Sequence, residues 1–546
     1  MQSKTIDGLL LKQMMEAGLT WLRTNHQMVN ALNVFPVPDG DTGTNMLLTM
    51  TSAYNEISSL GHLGAGQMAA GVAQGALMGA RGNSGVILSQ IWRGFSRALH
   101  GKDTIDGTAL AAAFGEARDT AYKGVVRPVE GTILTVSKDI AAEAARAILE
   151  TDDAILVLRR CVAAADVSVQ STPEFLTILK QAGVVDSGGK GLFFILEGMV
   201  RFLDGESLES ALISVQPLSA MNLENALEDV EEGQDWEIVV DFRPGDGFEL
   251  QAFYNQLETM GTSIQVGEGD GMYRMHIHTP LEKRYEPIDY ILGIGTITKI
   301  AMENLLAQMD DIESNASRSK LELAAIEPGQ IAVVTVSPGA GLSRIFASLG
   351  VASVISGGQT MNPSTKDILD AFENLPTENI IILPNNKNIV LAANQAKEVT
   401  TKNVRVIPSR NVPQGFAAML HLNPDGDLDS VADKMEKGMN NVTTGEVTIA
   451  TRSVEIDGVT VKDGQVIALL NGKLAVSSDS LEKACLELLE KADAKNCELI
   501  TMFYGEDMKH SDANKIADLI RENYPNQEIE VQEGGQPHYQ FIFSIE

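Results

Sequence analysis

The sequence predicts a multidomain protein, with a helical N-terminal domain, a small α/β middle domain and a larger α/β C-terminal region. Three observations predict it. From about Thr5 to Leu203 apolar residues recur at helical spacing with hardly a strand-like run. From Gly205 to Asp235 the composition turns acidic, with Glu224, Glu228, Asp229, Glu231 and Glu232 crowding before Trp236, as in a hydrated linker. From Ile331 onward short, almost wholly apolar runs alternate with helix-length segments, the pattern of a parallel sheet covered on both faces. A chain of 546 residues is too long for one core and suits about three domains, read here as 5–204, 236–313 and 321–546 with 205–235 as linker.

Composition narrows the function classes. The 42 basic residues against 73 acidic ones leave a net charge of −31, which opposes binding to nucleic acid or to an anionic membrane. Cys161, Cys485 and Cys497 are too few and too scattered for a disulfide framework, which suits a reducing cytoplasm. Met1 to Asp7 is polar and Leu9-Leu10-Leu11 is too short for the apolar core of a secretory signal, so none is expected. No uncharged run has the length of a membrane span.

Within the helical region, Leu9, Leu10, Met14, Leu19, Leu22, Met28, Val29 and Leu32 mark one apolar stripe, and 109–123 and 140–148 mark others. The loops between the stripes carry the chemistry. In Asn33-Val34-Phe35-Pro36-Val37-Pro38-Asp39-Gly40-Asp41-Thr42-Gly43-Thr44-Asn45, one glycine separates Asp39 from Asp41, so a tight turn can aim both carboxylates at one cation. Thr42, Thr44 and Asn45 supply donors where the next helix starts, a place suited to anions. An Asx-rich helix cap without a ligand is the plain alternative. Gly79-Ala80-Arg81-Gly82-Asn83-Ser84-Gly85 opens another helix and could cradle phosphate on its backbone N–H groups, or form only a helix corner. Arg127 to Leu134 is a further loop leading into a helix, and Gly183-Val184-Val185-Asp186-Ser187-Gly188-Gly189-Lys190-Gly191 is another.

Together these motifs resemble the nucleotide-binding (DhaL) subunit of dihydroxyacetone kinases and, more closely, the kinase subunit of bacterial fatty acid kinases, FakA, over the whole chain. The resemblance implies a DhaL-like all-α helical barrel with its loops gathered at one end, two magnesium ions on the Asp-Gly-Asp turn, and ATP as cofactor. It implies that Asp39 and Asp41 hold the ions, with Asn33 where dihydroxyacetone kinases have a further aspartate. Thr42 and Asn45 match positions beside the phosphates, and Gly82, Asn83 and Ser84 the phosphate turn; Thr44 and Gly85 join them through their own hydroxyl and backbone N–H. Thr132 and Ile133 match the wall near the adenine, and Asp186 a loop closing over the nucleotide. Arg81 and Arg127 are candidates to balance charge on the transferred phosphoryl group, or are surface ion pairs.

The implied reaction is phosphoryl transfer, which asks mainly for positioning and charge neutralisation. An acceptor carboxylate is already ionised at neutral pH and needs no general base. The family makes an acyl phosphate from ATP and a fatty acid carried by a separate acyl-binding protein of FakB type, so that carrier is the expected partner, with a homodimer as the expected assembly.

After the linker, Trp236 to Phe242 alternates as a strand and Phe248 to Gln256 suits a helix. Ser263 to Val266 and Tyr273 to Thr279 suit strands, and Gly295 to Met309 a helix, an order that fits a small ferredoxin-like domain. His276 and His278 share one strand face and could ligate one metal. The family's zinc site there adds a cysteine, which this chain lacks near Trp236. Asp235, Glu237 or Asp241 could substitute, and two histidines on a partly exposed sheet face without zinc remain the other reading.

Beyond a polar connector at 314–320, strands at 331–336, 354–355, 379–384 and 404–407 alternate with helices after Gly339, at 365–375 and at 388–398. Ligands or partners of such a sheet meet the carboxyl ends of its strands, here Ser337, Gly357 to Asn362 and Asn385 to Lys387. Gly357-Gly358-Gln359-Thr360-Met361-Asn362-Pro363-Ser364 resembles a segment of DegV-type lipid-binding proteins. The final hundred residues mix strands and helices, with hairpin signals at Asp457-Gly458 and Asn471-Gly472, and suggest a docking and dimer surface, with a cryptic lipid pocket as the alternative.

Two further functions compete with a fatty acid kinase. One is a dihydroxyacetone-type kinase of a small hydroxylated metabolite, which the long C-terminal α/β region argues against. The other is a nucleotide-dependent regulator without catalysis, which would not need the paired aspartates.

Overall fold

The computed structural model describes residues 5–33, 40–125, 127–208, 216–217, 236–245, 247–257, 259–269, 271–304, 321–359, 361–450, 454–456, 459–462 and 464–546. Asp39 lies outside them, as does nearly all of the expected acidic linker. The chain divides into two compact units, one formed by 1–209 with 321–546 and the other by 210–320.

In the first unit the N-terminal part is helical: α1 (Gly8–Ala31), α2 (Thr42–Ser58), α3 (Ala65–Met78), α4 (Gly82–Ala98), α5 (Gly107–Lys123), α6 (Ile133–Ala147), α7 (Ala154–Phe175), α8 (Thr177–Ala182) and α9 (Ser187–Asp204). Side-chain caps fix several starts. Asp7, Asp106, Asp153 and Asp186 each accept a backbone N–H one turn into the helix that follows. The long helices from α1 to α7 each pack on the next, and α9 packs on α7, α6 and α1, closing the set around one apolar core. Met14, Met15, Leu22, Met46, Met50, Leu88, Val136 and Ile195 lie in that core. Small residues let the helices approach. A Cβ on Gly18 would stand 2.8 Å from the Ile195 carbonyl oxygen, so α1 and α9 touch through backbone.

The C-terminal part of this unit holds two sheets. The first contains β5 (Ile331–Ser337), β6 (Ser353–Ser356), β7 (Asn379–Leu383) and β8 (Asn403–Val406), all parallel, in the order β8-β7-β5-β6. Every residue of β5 is buried, which explains its unbroken apolar run. Helices α12 (Ala340–Ser348), α13 (Thr365–Glu373), α14 (Val390–Val399), α15 (Val412–Met419) and α16 (Leu428–Gly438) accompany it. The second sheet has β9 (Thr443–Ile449), β10 (Val466–Leu470), β11 (Lys473–Ser478), β12 (Leu499–Tyr504), β13 (Glu528–Glu533) and β14 (Tyr539–Ile545), in the order β11-β10-β9-β14-β12-β13. Asn471 and Gly472, both at positive φ, make the tight β10–β11 turn that their sequence signals. Asp457 and Gly458 fall outside the described residues, though the strands flanking them pair antiparallel.

The second unit runs β1 (Trp236–Pro244), α10 (Leu250–Leu257), β2 (Thr262–Gly269), β3 (Met272–Thr279), α11 (Glu286–Ile294) and β4 (Gly295–Asn304), with these strands ordered β2-β3-β1-β4. The helix expected over Gly295 to Met309 is a strand over Gly295–Asn304, and 305–309 lie outside the described residues. Thr296, Ile297, Thr298 and Ile300 are β-branched, and the segment pairs antiparallel with β1 along its length. The apolar run of helical length was ambiguous by spacing, and the open edge of β1 decides it. Ile238, Val240, Phe242, Met275 and Ile277 join Phe253, Leu257 and Ile291 in the core of this unit.

Candidate nucleotide and metal site

The loops before α2 and α4 meet in the first unit. Asp41 precedes α2 and is buried, and Asn45, one turn on, is buried with it. Asn30, in the last full turn of α1, anchors the loop: its Oδ1 accepts from the N–H groups of Gly43 at 2.7 Å and Thr44 at 3.1 Å, and its Nδ2 donates to Thr44 Oγ1. A Cβ on Gly43 would lie 2.1 Å from the His26 carbonyl oxygen, so glycine is required for this approach. Thr42 opens α2, half-buried, while Thr44 is engaged by Asn30. Asn33 extends the end of α1, its N–H donating to the Asn30 carbonyl.

Gly82 sits at φ +57°, and a Cβ there would stand 2.6 Å from Asn45 Nδ2. The phosphate turn expected at 82–85 is thus pressed against Asn45, with Asn83, Ser84 and Gly85 in the first turn of α4. The N-terminal N–H groups of that turn and the helix dipole favour an anion. A buried carboxylate beside an anion-favouring helix start can hold a cation bridged to phosphate.

The C-terminal part closes over this corner. Asn362 Nδ2 donates to Asp41 Oδ2 at 2.5 Å. Arg81 Nη1 donates to the Asn362 carbonyl at 3.0 Å, and its Nη2 lies 3.3 Å from Asp367 Oδ2. Asn83 Nδ2 donates to Asn388 Oδ1 at 3.1 Å, and Gln90 Nε2 to Gln395 Oε1 at 2.9 Å. The strand edge that sequence marks for ligands or partners thus faces the chain's own helical part, and Arg81 bonds across that contact. Arg127 is exposed.

Thr132 and Asp186 stand at two other helix starts. Thr132 caps α6, its Oγ1 accepting from the Leu134 N–H and donating to the Val129 carbonyl. Asp186 caps α9 through Gly189 at 2.6 Å and also accepts from the backbone of Ile133, so it ties the two helix starts together. Burial pushes its carboxyl up to about 6, against the lowering effect of those bonds. Ile133 is buried.

A second cluster lies in the middle unit. Register places Glu237 opposite His278 and puts His276 two residues away, so all three share one face of the sheet. Their ligand atoms lie within 4.8 Å of one another and all three residues are buried. His276 Nδ1 lies 3.0 Å from the Ser263 carbonyl, which fixes the proton there, and its Nε2 lies 2.9 Å from Glu237 Oε1. With His278 beside them, these atoms form a donor set that a metal ion could bridge. Of the other two acids considered, Asp241 is held by both Arg274 nitrogens, at 2.6 and 2.8 Å, and Asp235 lies outside the described residues.

A third feature, a small cleft between the two C-terminal sheets, is lined by Asn385, Asn386, Arg410, Glu446 and His538. Burial pushes the Glu446 carboxyl up to about 7, with Lys387 pulling it down. No helix among the described residues is long and apolar enough to cross a membrane.

Asn30, Asn388 and Gln395 are engaged in ways their sequence context does not signal, since short polar side chains between apolar stripes read as ordinary loop or surface positions. Asn362 stands in the marked strand edge, but nothing in the sequence ties it to an acid 321 positions away.

The chain matches the DAK2 domain over 36–201, the middle domain of FakA-like fatty acid kinase proteins over 233–312 and their C-terminal domain over 332–546. Protein YloV of Bacillus subtilis (strain 168) is 39% identical over 557 residues, spanning 100% of both chains. An uncharacterized protein of Staphylococcus aureus (strain USA300) is 38% identical over 551 residues, 99% of each chain. Among solved structures, the Streptococcus pneumoniae Fatty Acid Kinase (Fak) B3 protein loaded with linoleic acid aligns with 40% of this chain and 99% of its own, at 13% identity and a TM-score of 0.28. The dihydroxyacetone kinase from C. freundii in complex with AMP-PNP and Mg2+ aligns with 36% of this chain and 34% of its own, at 19% identity and a TM-score of 0.27. Three successive domain matches and relatives aligned from end to end establish that the chain belongs to the FakA-like fatty acid kinase family, with a kinase-family DAK2 domain at its front.

Proposed function

We propose that this protein is an ATP- and magnesium-dependent kinase that phosphorylates the carboxylate of a fatty acid presented by a separate acyl-binding protein, yielding an acyl phosphate. The observation that carries the reading is the corner where buried Asp41, Asn45 and the Gly82 turn meet beneath the start of α4. Asp41, with Asp39 assigned from sequence, would hold magnesium, which neutralises charge on the β- and γ-phosphate oxygens. The backbone of 82–85 and the Asn83 and Ser84 side chains receive the phosphates. Asn45 supports that turn, Thr132 and Ile133 line the adenine side, and Asp186 locks the starts of α6 and α9 in place. No residue is needed as nucleophile or base, because the acceptor is an anion already.

The domain limits expected from sequence, a ferredoxin-like middle domain and a DegV-like C-terminal region belong to the same reading. The βαββαβ order of 236–304 supports the second. The three-ligand cluster of Glu237, His276 and His278 supports a zinc site with a carboxylate in place of the family's cysteine. A cytoplasmic homodimer completes the proposal.

The test is incubation of the full chain with magnesium-ATP and an acyl carrier loaded with labelled fatty acid, followed by trapping with hydroxylamine. Labelled hydroxamate supports the reading. ATP consumed only with dihydroxyacetone or glycerol would favour a small-metabolite kinase instead.

A further inference from the structure

The carboxyl edge of the parallel C-terminal sheet reaches the very carboxylate that the proposed function assigns to the cation. Asn362, 2% exposed, lies between β6 and α13 and touches three parts of the site. Its Nδ2 donates to Asp41 Oδ2, its backbone carbonyl accepts from Arg81, and a Cβ on Gly82 would stand 3.6 Å from its Nδ2. Its other side-chain atom, Oδ1, is buried without a hydrogen-bond partner. A buried acceptor without a donor is costly, and a water or a group bound in the site can supply the donor.

The contact is built into the fold. Ala80 and Val86 of the helical part share one apolar cluster with Ala332, Val334, Ile380 and Ile382 of the sheet. Thr365 donates to the Ala80 carbonyl at 3.2 Å, and the Gln90–Gln395 bond is buried. A packed layer of this kind holds Asn362 at a fixed distance from Asp41.

We propose that Asn362 is a positioning residue of the cation and phosphate site, lent to the helical part by the C-terminal region. Its amide nitrogen holds one oxygen of Asp41 and so sets the orientation in which that carboxylate would meet the cation, and its carbonyl oxygen would accept from a donor bound there. The inference rests on the phosphoryl-transfer reading. It makes the C-terminal region a part of the nucleotide site as well as a docking module.

Calorimetric titration of the full-length chain with magnesium and the non-hydrolysable analogue AMP-PNP tests it, together with melting curves with and without magnesium. For Asn362→Ala we expect binding weaker by about 10–100-fold. Gln395→Ala, which loosens the same interface away from the site, should lower the melting temperature and leave that affinity within twofold. Asn362→Asp, nearly the same shape, sets two carboxylates face to face, so magnesium alone should raise its melting temperature more than that of the wild type. The inference is overturned if Asn362→Ala binds as the wild type does, if Gln395→Ala weakens binding equally, or if magnesium shifts Asn362→Asp no more than the wild type. Absence of binding by the wild type would overturn the kinase reading itself, and this inference with it.

Discussion

The side chain of Asn362 hydrogen-bonds Asp41 at 2.5 Å, although 321 positions separate them in the chain. Asp41 therefore sits at the junction of the two halves of the first unit. A loss at Asp41 should act on both cation and interface.

Asp41→Ala is expected to lower magnesium-dependent ATP turnover by at least about 10²-fold, the scale seen when one preorganised electrostatic contact is removed. The variant should still fold, because the carboxylate is polar and its removal leaves the apolar core of the helical part untouched. Turnover at the wild-type rate, measured by phosphate release, would remove the metal role.

Gly82→Ala should be worse than a surface glycine change. At φ +57° an alanine is strained, and its Cβ would lie 2.6 Å from Asn45 Nδ2, closer than side chains tolerate. We expect a loss of about 1–2 kcal/mol in unfolding free energy and a weaker grip on nucleotide. Gly183→Ala, also at positive φ but with nothing within 4 Å, is the control that should cost stability alone.

The pH dependence of stability should carry the mark of Asp186. Its native carboxyl is pushed up to about 6 from an ordinary value of 3.8, so the native state holds that proton more tightly than the unfolded chain. Stability from this group is therefore complete below about pH 4 and is lost as pH rises through 6. Asp186→Asn keeps an acceptor for Gly189 and cannot ionise. Its melting temperature should exceed the wild type's at pH 8, by the equivalent of about 1–2 kcal/mol, and the gap should close by pH 4. A gap independent of pH would show that burial does not govern this carboxyl.

The helix starts around the candidate site were legible in the sequence, because their signals are local. Gly82, Asn83 and Ser84 announce one helix start and Thr42 another, because turn residues carry their own geometry. The alternation of buried strands after Ile331 announced the parallel sheet for the same reason. What failed was non-local. Gly295–Asn304 has an apolar content that suits either period, and only its pairing with β1 makes it a strand. The engagement of Arg81 with Asp367, and of Asn362 with Asp41, depends on how two distant regions pack, which no spacing within either one encodes.

The middle unit offers an independent test of its metal cluster. Adding zinc to the chelator-treated chain should raise the melting temperature of 210–320, followed by tryptophan fluorescence of Trp236, since a ligand that binds only the native state stabilises it. Glu237→Gln keeps the shape of the side chain and removes the charge that faces His276 Nε2 at 2.9 Å. Zinc affinity should fall by about 10–100-fold in that variant and further in His278→Ala. A wild-type chain whose melting temperature is indifferent to zinc would overturn the metal reading of this cluster.

The layer shared by the two halves of the first unit makes a prediction about truncation. A chain ended at residue 209 would expose Ala80 and Val86, which now lie in one apolar cluster with β5 and β7, and would strand Gln90 without Gln395. Ala80 and Val86 are nearly wholly buried, at 0% and 3% exposure, so their surface would return to water beside the 82–85 turn. We expect the fragment to melt several degrees below the full chain, at about 2–4 °C for each kcal/mol lost, and to bind magnesium-AMP-PNP more weakly. Equal melting temperature and equal affinity in the two forms would mean that the helical part is self-sufficient, and that its contacts with the sheet only bring the acceptor near.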